Sequence, residues 1–180
     1  MAEQGDELVG EVLLSDEQIR ERIVELGAEI ARDYAGRDPI LVAVLKGAFI
    51  FMADLARAVQ IPLEVDFMAV SSYGASTRSS GVVRIVKDLD IDLHGRHVII
   101  VEDIVDSGLT LRYLRKTLES RGTASLEVCA LLVREGSQQS EVDLRYIGFR
   151  IPPAFVIGYG LDVAERYRNL PHIAGYEGDE

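Results

Sequence analysis

This chain of 180 residues has little from which to build a thiol-based or metal-based scaffold. Its one cysteine, Cys129, excludes an intrachain disulfide and a cysteine-based zinc site, and reads as a small buried strand residue. His94, His97 and His172 show no metal-ligand spacing with any other cluster and receive no catalytic role. The longest apolar stretches, such as ILVAVL at 40–45 and VIIV at 98–101, fall far short of a bilayer span. The opening residues, MAEQGDELVGEVLLSDEQ, have no basic segment leading into an apolar one, so they do not read as a signal peptide. The expectation is a soluble cytoplasmic protein with no membrane partner. No internal repeat or low-complexity tract is visible. Bases are also scarce: 19 Lys and Arg stand against 30 Asp and Glu, for a net charge of −11. That balance disfavours a surface made to neutralise nucleic-acid phosphates.

What is present is apolar enough for a real core. Hydrophobic residues make up 48% of the chain, and the length favours one domain, or one domain with a small appendage. The acidity is unevenly spread. Residues 1–38 hold 11 acids and four bases, and residues 177–180 hold three acids. The stretch between them carries 16 acids and 15 bases. A small polyanionic ligand is therefore compatible with the middle of the chain.

The hydrophobic pattern alternates between strands and helices. Ser15 and Gln18 have capping-box spacing, and Ile19, Ile23, Leu26 and Ile30 share one helical face. ILVAVL (40–45) reads as a fully buried strand, followed by a helix over 47–59 and a strand over 63–70. Residues 71–81, SSYGASTRSSG, have almost nothing to bury and read as a long loop. Strands are expected at 82–86, 97–101, 126–133, 145–149 and 154–160, a helix with Leu111, Leu114 and Leu118 on one stripe, and one helical turn within 162–170. This alternation implies a parallel sheet of about five strands covered on both faces. Ligands of such sheets bind at the carboxyl ends of the strands.

The stretch VIIVEDIVDSGLTL (98–111) carries the most chemistry. Glu102 and Asp103 stand where a buried strand leaves the sheet, and Asp106 follows three residues later. Ser107-Gly108-Leu109-Thr110 then turns into a helix. Free N–H groups at a helix start attract an anion, Ser107 and Thr110 add hydroxyl donors, and Gly108 permits close backbone approach. The pattern is not the Walker loop. Paired carboxylates suit vicinal hydroxyls or a hydrated magnesium ion. A phosphate beside a diol acceptor describes a ribose 5-phosphate.

In the form E-D-x-x-D-[ST]-G-x-T this segment resembles the phosphoribosyl pyrophosphate motif of the type I phosphoribosyltransferases, in the version of the hypoxanthine-guanine enzymes. The resemblance extends to LKGAFIFMADL (45–55), SSYG (71–74) and FVIGYGLDVAERYRNLPHI (155–173), in the same order along nearly the whole chain. It implies one phosphoribosyltransferase domain over 1–180, with a core at about 37–150. A hood would come from the N-terminal segment and about 152–180. It also implies the reaction of phosphoribosyl pyrophosphate with hypoxanthine or guanine, giving the nucleoside 5′-monophosphate and pyrophosphate, with Mg2+ as cofactor, in a homodimer or homotetramer.

The same resemblance distributes roles. Lys46 and Gly47 belong to the loop that holds pyrophosphate, where the Leu-Lys peptide can be cis, and Ser72 and Tyr73 to a lid. Glu102 and Asp103 serve ribose and magnesium, Asp106 the purine proton, and residues 107–110 the 5-phosphate. Phe155 and Val156 face the purine, Asp162 lies near a second magnesium and Arg168 near pyrophosphate. Arg134 stands where related purine enzymes usually have lysine aimed at the 6-oxo group. It keeps the charge but has a longer, planar head. Two other readings stay open: a nucleic-acid-binding regulator of the same fold that senses the donor, and a related transferase for xanthine or a pyrimidine.

Overall fold

The computed structural model describes residues 8–72, 83–136 and 143–178. Helix α1 (Asp16–Asp33) begins at the expected cap, with both arms of the box formed: Gln18 N–H donates to Ser15 Oγ (3.2 Å) and Ser15 N–H to Gln18 Oε1 (2.9 Å). Its buried stripe is Ile19, Ile23, Leu26 and Ile30. Strand β1 (Val9–Leu14) precedes it. After α1 come β2 (Ile40–Leu45), α2 (Phe49–Ala58), β3 (Glu64–Ser72) and β4 (Val83–Lys87). The chain continues through β5 (His97–Val105), α3 (Leu109–Glu119), β6 (Ser125–Arg134) and β7 (Tyr146–Ile151). It ends with β8 (Val156–Ile157) and β9 (Ile173–Tyr176).

The main sheet has six strands in the order β4-β3-β2-β5-β6-β7. The run from β3 to β7 is parallel, as the continuous apolar strands require. The sixth strand, β4, joins β3 antiparallel at the edge. Its exposed Val86 and half-buried neighbours suit an edge position. Two hydrophobic clusters cover the sheet. One takes in α1, α2 and part of the smaller sheet, and the other includes Leu111, Leu114 and Leu118 of α3. Cys129 lies fully buried in β6.

Chain order fixes where the sheet opens. From β2 the chain passes through α2 to β3 on one side; from β5 it passes through α3 to β6 on the other. The helices after β2 and β5 thus diverge, leaving a crevice at the carboxyl ends of these two strands.

A three-stranded antiparallel sheet, β1-β9-β8, draws on both ends of the described chain. Here the structure corrects two expectations. The strand expected over 154–160 shrinks to Val156–Ile157, because positive φ at Gly158, Tyr159 and Gly160 turns the chain away. The helical turn expected within 162–170 is absent; isolated bridges Gly158–Leu161 and Val163–Arg166 close tight turns instead. In this arrangement Asp162 pairs with Arg168 (2.8 Å). None of the helices among the described residues is long and apolar enough to cross a membrane.

A buried carboxylate holds the sheet edge. Asp66 of β3 accepts hydrogen bonds from the N–H groups of Phe67 (2.7 Å), Asp90 (2.8 Å) and Ile91 (3.0 Å). Burial alone would raise its pKa, but these donors and nearby Lys87 hold it below the usual carboxylate range.

Candidate active site

Glu102 and Asp103 do not leave the sheet as expected: β5 runs on to Val105, and its last residues have passed the pairing with β2 but stay paired with β6. Glu102 is buried, and burial together with the neighbouring Asp103 charge pushes its carboxyl well above the ordinary range. Burial also pushes Asp103 up, opposed by the N–H of Ile104 (2.8 Å) and the charge of Arg168, while Asp162 adds a like charge. Two adjacent carboxylates that resist ionisation this way are stabilised by a cation or by hydroxyl donors.

Across the crevice, β2 ends in the Lys46-Gly47 turn, and the Leu45–Lys46 peptide is cis. Gly47 is required by its neighbours. A Cβ there would land on the Asp103 carboxylate, and a Cβ at Gly160, where φ is +99°, would strike the Gly47 carbonyl oxygen. The β2 turn therefore meets the Asp103 side chain of β5 on one side and the backbone of the 158–160 turn on the other. Arg168 ties the last in place by donating from Nη1 to the Gly160 carbonyl (2.7 Å). Tyr159 adds a second tie by donating its hydroxyl to Asp54 of α2.

The segment after β5 forms the second half of the site. Gly108, at φ +77°, is the N-cap of α3, and no side chain caps that helix. Apart from that of Leu109, the first-turn N–H groups are left to other acceptors. A cavity of about 110 Å3 opens here, lined by residues that include Glu102, Asp106, Ser107, Gly108 and Thr110. Leu109 N–H makes a long bond to Ser107 Oγ (3.4 Å). Half-exposed Asp106 accepts from Arg134 Nη1 at 2.7 Å, so the two residues assigned to the base side touch each other.

The remaining candidates divide. Lys46, Asp103, Asp162 and Arg168 converge: Arg168 Nη2 lies 2.8 Å from Asp162 Oδ1, and Arg168 and Asp162 both act on Asp103. Val156 is buried in β8, and the ring of Phe155 packs against Tyr176 at 5.8 Å. Ser72 closes β3 opposite Val83; Tyr73 lies outside the described residues.

Two residues escaped sequence reasoning. Tyr176 packs on both Phe155 and Tyr167 (6.3 Å), extending an aromatic group over the smaller sheet. Glu165 brings its carboxylate to Lys46 Nζ (3.1 Å) and Arg168 Nη2 (3.5 Å). The Lys46 ammonium holds the Glu165 carboxyl below its ordinary range. The only available signal was an acid just ahead of two cations, Arg166 and Arg168, in a segment that reads as helical.

Magnesium can be tested against these donors. Among the described residues no group of three or more His, Cys, Asp or Glu forms a metal-holding set. Magnesium does not need one, since it commonly takes one or two carboxylates and completes its shell with waters and substrate phosphates. The Glu102-Asp103 pair supplies hard oxygen donors whose buried charge a divalent cation would offset, so the residues fit.

Known proteins resemble this chain along most of its length. The profile of the phosphoribosyl transferase domain family matches residues 11–164. The hypoxanthine-guanine phosphoribosyltransferase of Mycobacterium tuberculosis is 56% identical over 168 residues, covering 90% of this chain and 83% of that protein. The Bacillus subtilis protein of the same name is 49% identical, covering 92% of both. A crystal structure of a hypoxanthine phosphoribosyltransferase from Staphylococcus aureus superimposes with a TM-score of 0.93 at 41% identity, covering 98% of this chain and 96% of that one. The chain belongs to the phosphoribosyl transferase domain family, as a purine-salvage phosphoribosyltransferase.

Proposed function

We propose that this protein transfers the 5-phosphoribosyl group from phosphoribosyl pyrophosphate to hypoxanthine or guanine, releasing pyrophosphate. One observation carries the reading. The crevice between β2 and β5 sets a carboxylate pair between an uncapped helix start and a cation pair. That spacing of functions matches a donor with a phosphate at one end, a diol in the middle and a pyrophosphate at the other. The same reading treats residues 1–180 as one catalytic domain, with a core at about 37–150 and a hood from the chain ends.

The mechanism follows from charge. As pyrophosphate departs, the ribose carbon becomes oxocarbenium-like, as in glycoside hydrolysis. Residues 107–110 hold the 5-phosphate, and this remote binding orients the reacting carbon. Glu102 and Asp103 hold the ribose hydroxyls and would be the residues that bind magnesium, with Asp162 near a second ion. The ion supplies Lewis-acid neutralisation of phosphate charge. Lys46 and Arg168 stabilise the leaving anion. Asp106 takes the proton from the imidazole-ring nitrogen of the purine. Arg134 holds the Asp106 carboxylate and turns its guanidinium charge toward the 6-oxo edge of the purine. Phe155 and Val156 provide the apolar wall for the base, and Ser72 and Tyr73 belong to a lid that excludes water.

The reading includes a cytoplasmic homodimer or homotetramer, which light scattering on a sizing column would count. The decisive assay measures pyrophosphate release from phosphoribosyl pyrophosphate and magnesium, with hypoxanthine, guanine, xanthine and a pyrimidine supplied separately. Release with hypoxanthine or guanine is expected. Release only with xanthine or the pyrimidine would reassign the base, and no release with any base would refute the activity.

A further inference from the structure

The turn that carries Glu165 is built at a conformational cost that the reaction does not itself explain. Val163 and Arg166 exchange backbone hydrogen bonds (3.3 and 3.0 Å), so residues 163–166 close a two-residue hairpin turn. Both central residues have positive φ, +48° at Ala164 and +63° at Glu165. Turns with two left-handed centres favour Asn-Gly, Asp-Gly or Gly-Gly. Alanine and glutamate there are strained by their Cβ atoms. Strain kept at such a position points to a use for the side chain.

That side chain reaches the two cations assigned above to the pyrophosphate group. Glu165 Oε2 stands 3.1 Å from Lys46 Nζ and 3.5 Å from Arg168 Nη2. A carboxylate thus sits where a phosphate oxygen of the donor or product would be attracted. The Lys46 and Glu165 side chains are 65% and 64% exposed, so their pairing is weak and readily exchanged for a stronger anion.

We propose that Glu165 is an internal counter-anion of the pyrophosphate site: it pairs with Lys46 and Arg168 between turnovers, is displaced when a pyrophosphate group binds, and returns as pyrophosphate leaves. The inference rests on the assignment of Lys46 and Arg168 to pyrophosphate. It sets the affinity of that site below what the cations alone would give, and it speeds product departure. A residue that merely posed Lys46 for its ligand would have the opposite effect, because its removal would loosen binding.

Calorimetric titration of the full-length protein with inorganic pyrophosphate and magnesium at low ionic strength separates these cases. E165Q is expected to bind pyrophosphate about two- to five-fold more tightly than wild type, the scale of an exposed ion pair. Stopped-flow dissociation of pyrophosphate should slow in proportion. E165G also removes the backbone strain, so agreement between E165Q and E165G assigns the effect to the carboxylate rather than the turn. Affinity for a nucleoside monophosphate alone should stay unchanged in both. Weaker or unchanged pyrophosphate binding in E165Q, or disagreement between the two variants, overturns the proposal. The control is K46A. If K46A leaves pyrophosphate affinity unaltered, the underlying assignment of Lys46 fails. If K46A weakens binding while E165Q does not tighten it, only the counter-anion role fails.

Discussion

The two places fit for phosphate groups are built on opposite plans. At residues 107–110 the donors are neutral backbone N–H groups and hydroxyls at an uncapped helix start. Around Lys46 and Arg168 the donors are full charges, already partnered by Glu165 and Asp162. The first site is preorganised by backbone and has little to rearrange when a ligand arrives. The second must exchange one set of anions for another. Such a division suits a reaction in which one phosphate stays bound through the chemistry and the other must leave.

The largest expected effect lies beside the first site, at Asp106. Asp106→Asn should cut turnover by roughly two to four orders of magnitude, the range for a lost general base. Its affinities for pyrophosphate and for nucleoside monophosphate should stay near wild type. Near-normal turnover in a folded Asp106→Asn protein would remove Asp106 from the chemistry.

Gly47→Ala tests the charged site through its backbone. The added methyl would collide with the Asp103 carboxylate, so either the turn or the acid must move. A displacement on the order of 1 Å predicts about a hundredfold loss in kcat/KM. A loss of less than threefold would show that the β2 turn need not be held so closely.

Lys46→Ala and Thr110→Ala test the division itself. Lys46→Ala should weaken inorganic pyrophosphate about ten- to a hundredfold, as for a lost charged hydrogen bond, and leave nucleoside monophosphate within twofold. Thr110→Ala should do the reverse on a smaller scale, weakening monophosphate by about three- to tenfold. Binding of pyrophosphate should also fall more steeply with salt. Equal effects of either variant on both ligands would mean the two sites act as one.

The smallest effect on binding is expected from the scaffold. Asp66→Asn turns one of the two carboxylate oxygens that accept from three backbone N–H groups into an amide donor, costing about 1–3 kcal/mol of stability at neutral pH. Because the folded-state pKa of Asp66 lies below its ordinary 3.8, its contribution is present above that value and is lost as pH falls. Denaturation curves of Asp66→Asn and wild type should therefore converge in acid. Anion affinities should not change. Curves that stay parallel down to pH 3 would assign the loss to packing rather than charge.

The legibility of these regions in the sequence differs for physical reasons. Strand β5 and the following turn could be read because buried strands, carboxylates and helix starts each leave a local mark. The capping box at Ser15 and Gln18 was legible on the same grounds. The edge strand β4 was legible as a strand, but its antiparallel direction was not, because pairing direction is set by the connection. Strands β1 and β9 are short and mutually dependent, so neither has a pattern of its own. The pattern within 162–170 suggests a helical turn because nothing in it, least of all a glycine, announces the positive φ of Ala164, Glu165 and Tyr167. Glu165 escaped for that reason: its partners are 119 and three residues away, and only the turn brings them together.

The burial of Cys129 has a practical side. The only thiol of the chain lies fully enclosed in β6, and burial pushes its pKa up, so it is a poor target for thiolate-seeking reagents. A cysteine introduced at an exposed position such as Tyr113 of α3 would carry a fluorophore or spin label alone, with the native residue left in place. Spectroscopic distance measurements on this protein can therefore begin from the natural sequence.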